Sequence, residues 1–130
     1  PSFKLFGFIS LFIAPNLATL HQMIVIVFKY LTPKWVRGIT LFPFIVLSEK
    51  LDRNDAVLLN HEKIHIRQQL EMLVLPFFVI YLTEFLIGYI KYRNWHLAYK
   101  NISFEREAYA NEKDLNYLKQ RSFWRFLKYY

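Results

Sequence analysis

The chain has 130 residues, room for one domain with a single core, and its 55% hydrophobic and 19% aromatic content exceeds the usual share for a soluble domain. Seventeen Lys+Arg against 10 Asp+Glu leave a net charge of +7. Basic and apolar together predict a membrane-lipid partner and not nucleic acid, for which no binding fingerprint is present. Cysteine is absent, which excludes disulfides and a thiolate nucleophile and restricts metal donors to His, carboxylate and water.

Residues 1–31 are mostly apolar, and 5–31 form a run about long enough to cross a bilayer. Pro15, Asn16, His21 and Gln22 interrupt it, so two short pieces joined by a turn, or one kinked membrane helix, are expected. A core helix followed by a strand at "MIVIVF" is the alternative. Translation from Met23 would make residues 1–22 an extension outside the working protein.

Pro33, Gly38 and Pro43 then forbid a long helix, and "GITLFPFIVL" predicts one or two short strands, with Pro43 on an edge. Such a strand either pairs a substrate peptide or closes over the core. "SEKLDRND" is a polar turn in which Asp52, Asn54 or Asp55 caps the next helix, Ala56 to Leu75, ended by Pro76. A second, apolar helix over 77–92 carries Glu84, expected beside an Arg or Lys or at a polar surface. After a connector, Ser103 is the expected cap of a third helix over 104–120, with Glu105 and Glu107 in its first turn. The tail, Phe123, Trp124, Phe126, Tyr129 and Tyr130 with Arg125 and Lys128, fits an interfacial anchor or core packing. The expected fold is mainly α and a single domain. A three-helix zincin-like core over 56–119 follows a short strand or β-hairpin and an apolar N-terminal segment.

The chemistry concentrates in "LLNHEKIHIRQQLE", residues 58–71. His61 and His65 stand four apart, so on a helix both imidazoles share one face and reach one ion. Glu62 points about 100° around the helix, away from their ligand geometry but within reach of a water on the metal. This H-E-x-x-H pattern predicts a zinc site with Glu62 as general base toward a zinc-bound water. A catalytic zinc needs a third protein ligand. The helix from 61 to 75 rises about 21 Å and the helix over 77–92 returns about 24 Å. The chain is then back at the imidazoles, where Glu105 or Glu107 can supply that ligand. A single membrane crossing over 72–90 would separate His65 from Glu105 by about 30 Å of hydrocarbon, so a hairpin dipping into lipid at its tip is expected instead. Gln68 and Gln69 follow the histidine face and are expected to meet solvent, with a role in orienting ligands as the alternative. His96, Tyr99 and Tyr109 are candidates for stabilising an oxyanion, with a structural role as the alternative.

"HEKIH" followed 40 positions after His65 by Glu105, in "FEREAYANE", resembles the gluzincin pattern of integral-membrane metallopeptidases. Among these are the CAAX-processing endopeptidases, the heat-shock membrane endopeptidases and the beta-lactam sensor-transducer peptidases. "LLNHEKIHIRQQLE" and "HLAYKNISFEREAYANE" together look like small uncharacterised bacterial membrane metallopeptidases, and that likeness implies a location at the bacterial inner membrane. The resemblance implies His61, His65 and Glu105 as zinc ligands, Glu62 as the base and Ala108 as the small residue of an E-x-x-A-D string. Tyr109 stands where those families usually have Asp, which supports a ligand histidine; Glu112 is a candidate replacement, and Glu107 an alternative ligand or support. The expected function is zinc-dependent hydrolysis of a peptide or protein substrate. The alternative is a non-enzymatic membrane-associated protein with a structural or degenerate metal site.

Overall fold

The computed structural model describes residues 23–30 and 35–130. The expectations for residues 1–22 and for Pro33 lie outside the described residues. Three strands, β1 (Ile24–Val27), β2 (Gly38–Leu41) and β3 (Phe44–Leu47), precede five helices among the described residues. The helices are α1 (Ala56–Met72), α2 (Val74–Tyr92), α3 (Trp95–Lys100), α4 (Ser103–Asn111) and α5 (Tyr117–Gln120). Single 3-10 turns lie at Lys50–Asn54 and Arg125–Tyr129. The protein is therefore mainly helical, with a small sheet ahead of the helices.

The sheet order is β1-β3-β2, with β1 parallel and β2 antiparallel to β3. The "MIVIVF" segment thus forms a strand, which corrects the expectation that it continues a membrane helix. Its β-branched residues suit a pleated surface, and alternate ones bury. Val25 and Val27 join Ile45, Leu47, Ile66 and Leu70 in a core between the sheet and α1. Pro43 sits in the two-residue turn between β2 and β3, after a cis Phe42–Pro43 bond, and not within an edge strand. The outer sheet face is apolar as well, with Ile24, Ile26, Leu41 and Phe44 exposed.

Asp55 caps α1, its side chain accepting from the backbone N–H groups of Val57 and Leu58. The helix stops at Met72, three residues before the expected end. Pro76 has no N–H to give the carbonyl four residues back, and its ring would clash there; that carbonyl belongs to Met72. The chain breaks at Leu73, whose φ of 63° is unusual for a residue with a side chain. Pro76 is accommodated in the first turn of α2.

α1 and α2 form a hairpin about Leu73, with Phe77 packing 6.5 Å from His65 between ring centroids. α2 runs on beyond the level of His61, and α3 brings the chain back along it. A close approach of Gly88 to Ala98, where an added Cβ would lie 3.3 Å from the Ala98 Cα, sets that pairing. The connector over 93–102 therefore contains a helix, capped by Asn94. Ser103 is the first residue of α4 rather than its cap. Glu84 supplies the cap from α2, accepting from Ser103 N at 2.6 Å and Ser103 Oγ at 2.8 Å, instead of meeting an Arg or Lys. The expected third helix is two, α4 and α5, separated by a turn. In the tail, Phe126 is buried against Phe77, Ile102 and Phe104, whereas Phe123, Trp124 and Tyr130 are exposed.

Candidate metal centre

His61 and His65 project from one face of α1 with their Nε2 atoms 3.1 Å apart. Glu105, in the first turn of α4, meets them: Oε2 lies 3.3 Å from His61 Nε2 and Oε1 3.3 Å from His65 Nε2. All three side chains are buried, and together they form a group that could hold a metal ion. Glu105 arrives because α3 and α4 return along α2. The end of α2 runs past the imidazoles instead of stopping level with them, as the rise of an unbroken first helix had suggested, because α1 ends early at Met72.

The outer nitrogens are held by different partners. His61 Nδ1 donates to Glu112 Oε2 at 2.9 Å. His65 Nδ1 pairs with Gln68 Oε1 at 2.8 Å. Gln68 Nε2 in turn donates to Glu107 Oε2 at 3.0 Å and to the Phe104 carbonyl at 3.2 Å. With the amide nitrogen committed to two acceptors, Gln68 Oε1 must accept, so His65 carries its proton on Nδ1. Both imidazoles thereby turn Nε2 toward Glu105, and outer-shell partners of this kind fix ligand orientation. Glu112 thus holds His61, and Tyr109 packs its ring edge-on to the same imidazole at 4.7 Å between centroids. Glu107 does not join the cluster; it acts on His65 through Gln68.

The donor set fits zinc: two imidazole nitrogens and one carboxylate, with no thiolate. The remaining oxygen supports this fit. Glu105 Oε1 accepts from Tyr81 at 2.7 Å, but Oε2 is buried without a hydrogen-bond partner among the described residues. A buried, unsatisfied carboxylate oxygen is costly unless a cation faces it. With only protons to share, burial works against charge on His65, yet the Glu105 carboxylate raises the imidazole to about 9. Burial would likewise lift Glu105, but His65 and His61 hold it well below the usual carboxylate range. A cation bound here would displace the proton of that ion pair.

Glu62 leaves α1 toward the sheet. Its Oε2 accepts from the Thr40 hydroxyl at 2.5 Å. Its Oε1 lies against Gly38, where any added Cβ would collide with it, so a glycine is required for this approach. Burial pushes the Glu62 carboxyl up, opposed by His65, His61 and Thr40. Gln69 fixes this arrangement, its amide donating to the Thr40 carbonyl at 2.8 Å and accepting from Phe42 N at 2.9 Å. Gln68 and Gln69 are thus buried, not solvent-facing; both hold the site's framework. A cavity of about 470 Å³ opens beside Glu62, His65 and Glu105, walled mainly by Trp35, Ile39, Phe77, Phe78 and Leu82. Tyr99 also lines it, and His96 is exposed and packs edge-on to Trp35.

Thr40, Tyr81, Glu71 and Arg121 carried no signal in the sequence pattern. Arg121 bonds both Glu71 and Glu107, each contact at 2.5 Å, with all three side chains fully buried. Gln68 follows His65 by three residues on the same helical face, and of its two expected roles the structure shows the hydrogen bond to an imidazole and not the contact with solvent. No family model matches the chain, no curated protein matches it, and no solved structure matches it.

Proposed function

We propose that the chain is a membrane-associated zinc metallopeptidase, with His61, His65 and Glu105 as metal ligands and Glu62 as general base. The observation that carries this reading is the convergence of two imidazoles and the unsatisfied Glu105 Oε2 beside a buried glutamate and an open cavity. Bound zinc would polarise the scissile carbonyl and lower the pKa of a water toward ~7.

The chain's own residues do the rest. Glu62, raised by burial, is a stronger base than an exposed carboxylate. It removes a proton from the attacking water as the water oxygen bonds to the carbonyl carbon. It then returns that proton to the leaving nitrogen as the C–N bond breaks. Thr40 fixes the orientation of the carboxylate during both transfers. The strand β2 orients the substrate. Residues 37, 39 and 41 face β3 in the ladder, as the bond from Ser48 N to the Arg37 carbonyl requires, so 38, 40 and 42 point outward. Gln69 takes up the Thr40 carbonyl and Phe42 N–H; the Gly38 carbonyl and Thr40 N–H are left to pair an extended peptide beside Glu62.

The membrane part of the reading rests on α2. Among the described residues it is the one helix long and apolar enough to cross a membrane, and 11% of its most apolar window is buried. Its exposed residues Leu75, Val79, Leu82, Leu86 and Ile90 form one stripe at helical spacing. That stripe and the +7 charge suit an anionic lipid surface.

The test is Glu62→Gln in the full chain, purified in detergent and assayed on an unstructured protein substrate. The variant should keep its zinc by atomic absorption and lose hydrolysis by about 10²–10⁴-fold. Undiminished hydrolysis removes Glu62 from its role.

A further inference from the structure

We propose that Tyr81 is a positioning residue of this centre: from α2 it holds Glu105 Oε1 and so fixes the pose in which the carboxylate meets the two imidazole nitrogens. The inference rests on the reading of the cluster as a metal centre and adds a residue outside the H-E-x-x-H helix and the Glu105 helix.

A carboxylate with both oxygens free can turn either or both toward a cation. Here the two oxygens are distinguished. Oε1 accepts the Tyr81 hydroxyl at 2.7 Å, whereas Oε2 is buried without a hydrogen-bond partner among the described residues. The hydroxyl is itself well fixed. The Tyr81 ring lies parallel to Phe104, with an interplanar angle of 2°, and packs 5.7 Å from Phe77 between centroids. Phe104 directly precedes Glu105, so the residue that carries the carboxylate and the residue that holds it are packed together.

One turn further along the same face of α2, Glu84 accepts from the backbone and side chain of Ser103. α2 therefore grips the first turn of α4 at two points that flank Phe104. The backbone that carries Glu105 cannot rotate without breaking the Glu84 pair, and the carboxylate cannot turn without breaking the Tyr81 bond. Tyr81 thus fixes the carboxylate with Oε1 toward His65 Nε2 and Oε2 toward His61 Nε2, and α2 sets the pose of the third ligand while its opposite stripe faces outward.

The experiment titrates zinc into the full-length protein in detergent against a competing chelator and records the visible spectrum with cobalt(II) in its place. Wild type, Tyr81→Phe and the control Tyr89→Phe, on α2 beside Trp95, are compared. Tyr81→Phe should bind zinc about 10-fold or more weakly and shift the cobalt bands, while Tyr89→Phe matches wild type. X-ray absorption of the zinc-loaded wild type should find carboxylate oxygen beside two imidazole nitrogens on the metal. An unchanged affinity and cobalt spectrum in Tyr81→Phe overturns the role of Tyr81. So does a zinc-loaded wild type with no carboxylate on the metal, which decides the matter even if the variant does not fold. Wild type that takes up no zinc overturns the metal-centre reading itself.

Discussion

α1 and α2 invert the usual relation between polarity and burial. Of the ten buried residues of α1, three are aliphatic, Ile64, Ile66 and Leu70, and the other seven are polar. α2 is apolar over most of its 19 residues, yet only Phe77 and Gly88 are buried. A helix with buried polar side chains is tolerable only when each is partnered. In α1 nearly all are: Asn60 with backbone carbonyls after α4, Glu62 with Thr40, Gln69 with the edge of β2, and Glu71 with Arg121. An apolar helix with one exposed stripe is tolerable where something other than water meets it. The contrast assigns different tasks to two neighbouring helices. α1 supplies two members of the buried group that could hold a metal ion, and α2 leaves an apolar stripe uncovered.

The sharpest way to break the first half of that contrast is Arg121→Met. It leaves Glu71 and Glu107 buried without their shared cation. Removing one partner of a buried pair costs about 3–5 kcal/mol, so thermal unfolding should show a large loss of stability. A stability close to wild type would mean that the polar interior of α1 is not held from the C-terminal side.

The second half is tested by Leu86→Lys, in the middle of the exposed stripe of α2. A lysine at the bilayer centre costs up to about 3.5 kcal/mol. Co-sedimentation with anionic phospholipid vesicles should fall sharply, while stability in detergent changes by about 0.5 kcal/mol or less. Undiminished vesicle binding would separate the stripe from lipid.

Glu112→Ala sharpens the account of the imidazoles, because it removes the acceptor on His61 Nδ1. Zinc affinity should drop about 10- to 100-fold in a chelator competition, with the fold intact. Equal affinity would show that His61 is oriented by packing against Tyr109 alone.

The smallest effect is expected at the start of α1. Asp55→Ala removes the acceptor of two backbone N–H groups and should cost about 1 kcal/mol in denaturant unfolding. The Leu58 backbone N–H, then Arg37, hold the Asp55 carboxyl below its ordinary value of 3.8. A carboxyl lowered by folding contributes fully above its unfolded value and loses that contribution as pH falls through the folded one. The gap between wild type and variant should therefore narrow below about pH 4. A gap that persists in acid would assign the stabilisation to something other than the ionised cap.

The sequence by itself determined the mainly helical class, the strands before the helices and the imidazole pair. It also put Glu105 and Glu107 together in the first turn of a helix, and the tertiary structure chose Glu105 to meet that pair. Those features are local: i, i+4 spacing, proline and glycine placement, and a cap are written in neighbouring residues. Even the break at Met72 was legible, because Pro76 acts on the carbonyl four residues earlier, although the rule was applied at the proline itself. Tertiary structure alone decided that Gln68 and Gln69 turn inward, that Glu62 rests on Gly38 and Thr40, and that Tyr81, Glu84 and Arg121 hold the elements around the site. Their partners lie 14 to 50 residues away, and hydrogen bonds across such separations leave no periodicity in the chain. The same physics placed α2: composition makes a helix apolar, but only the packing of its neighbours determines which of its faces remain uncovered.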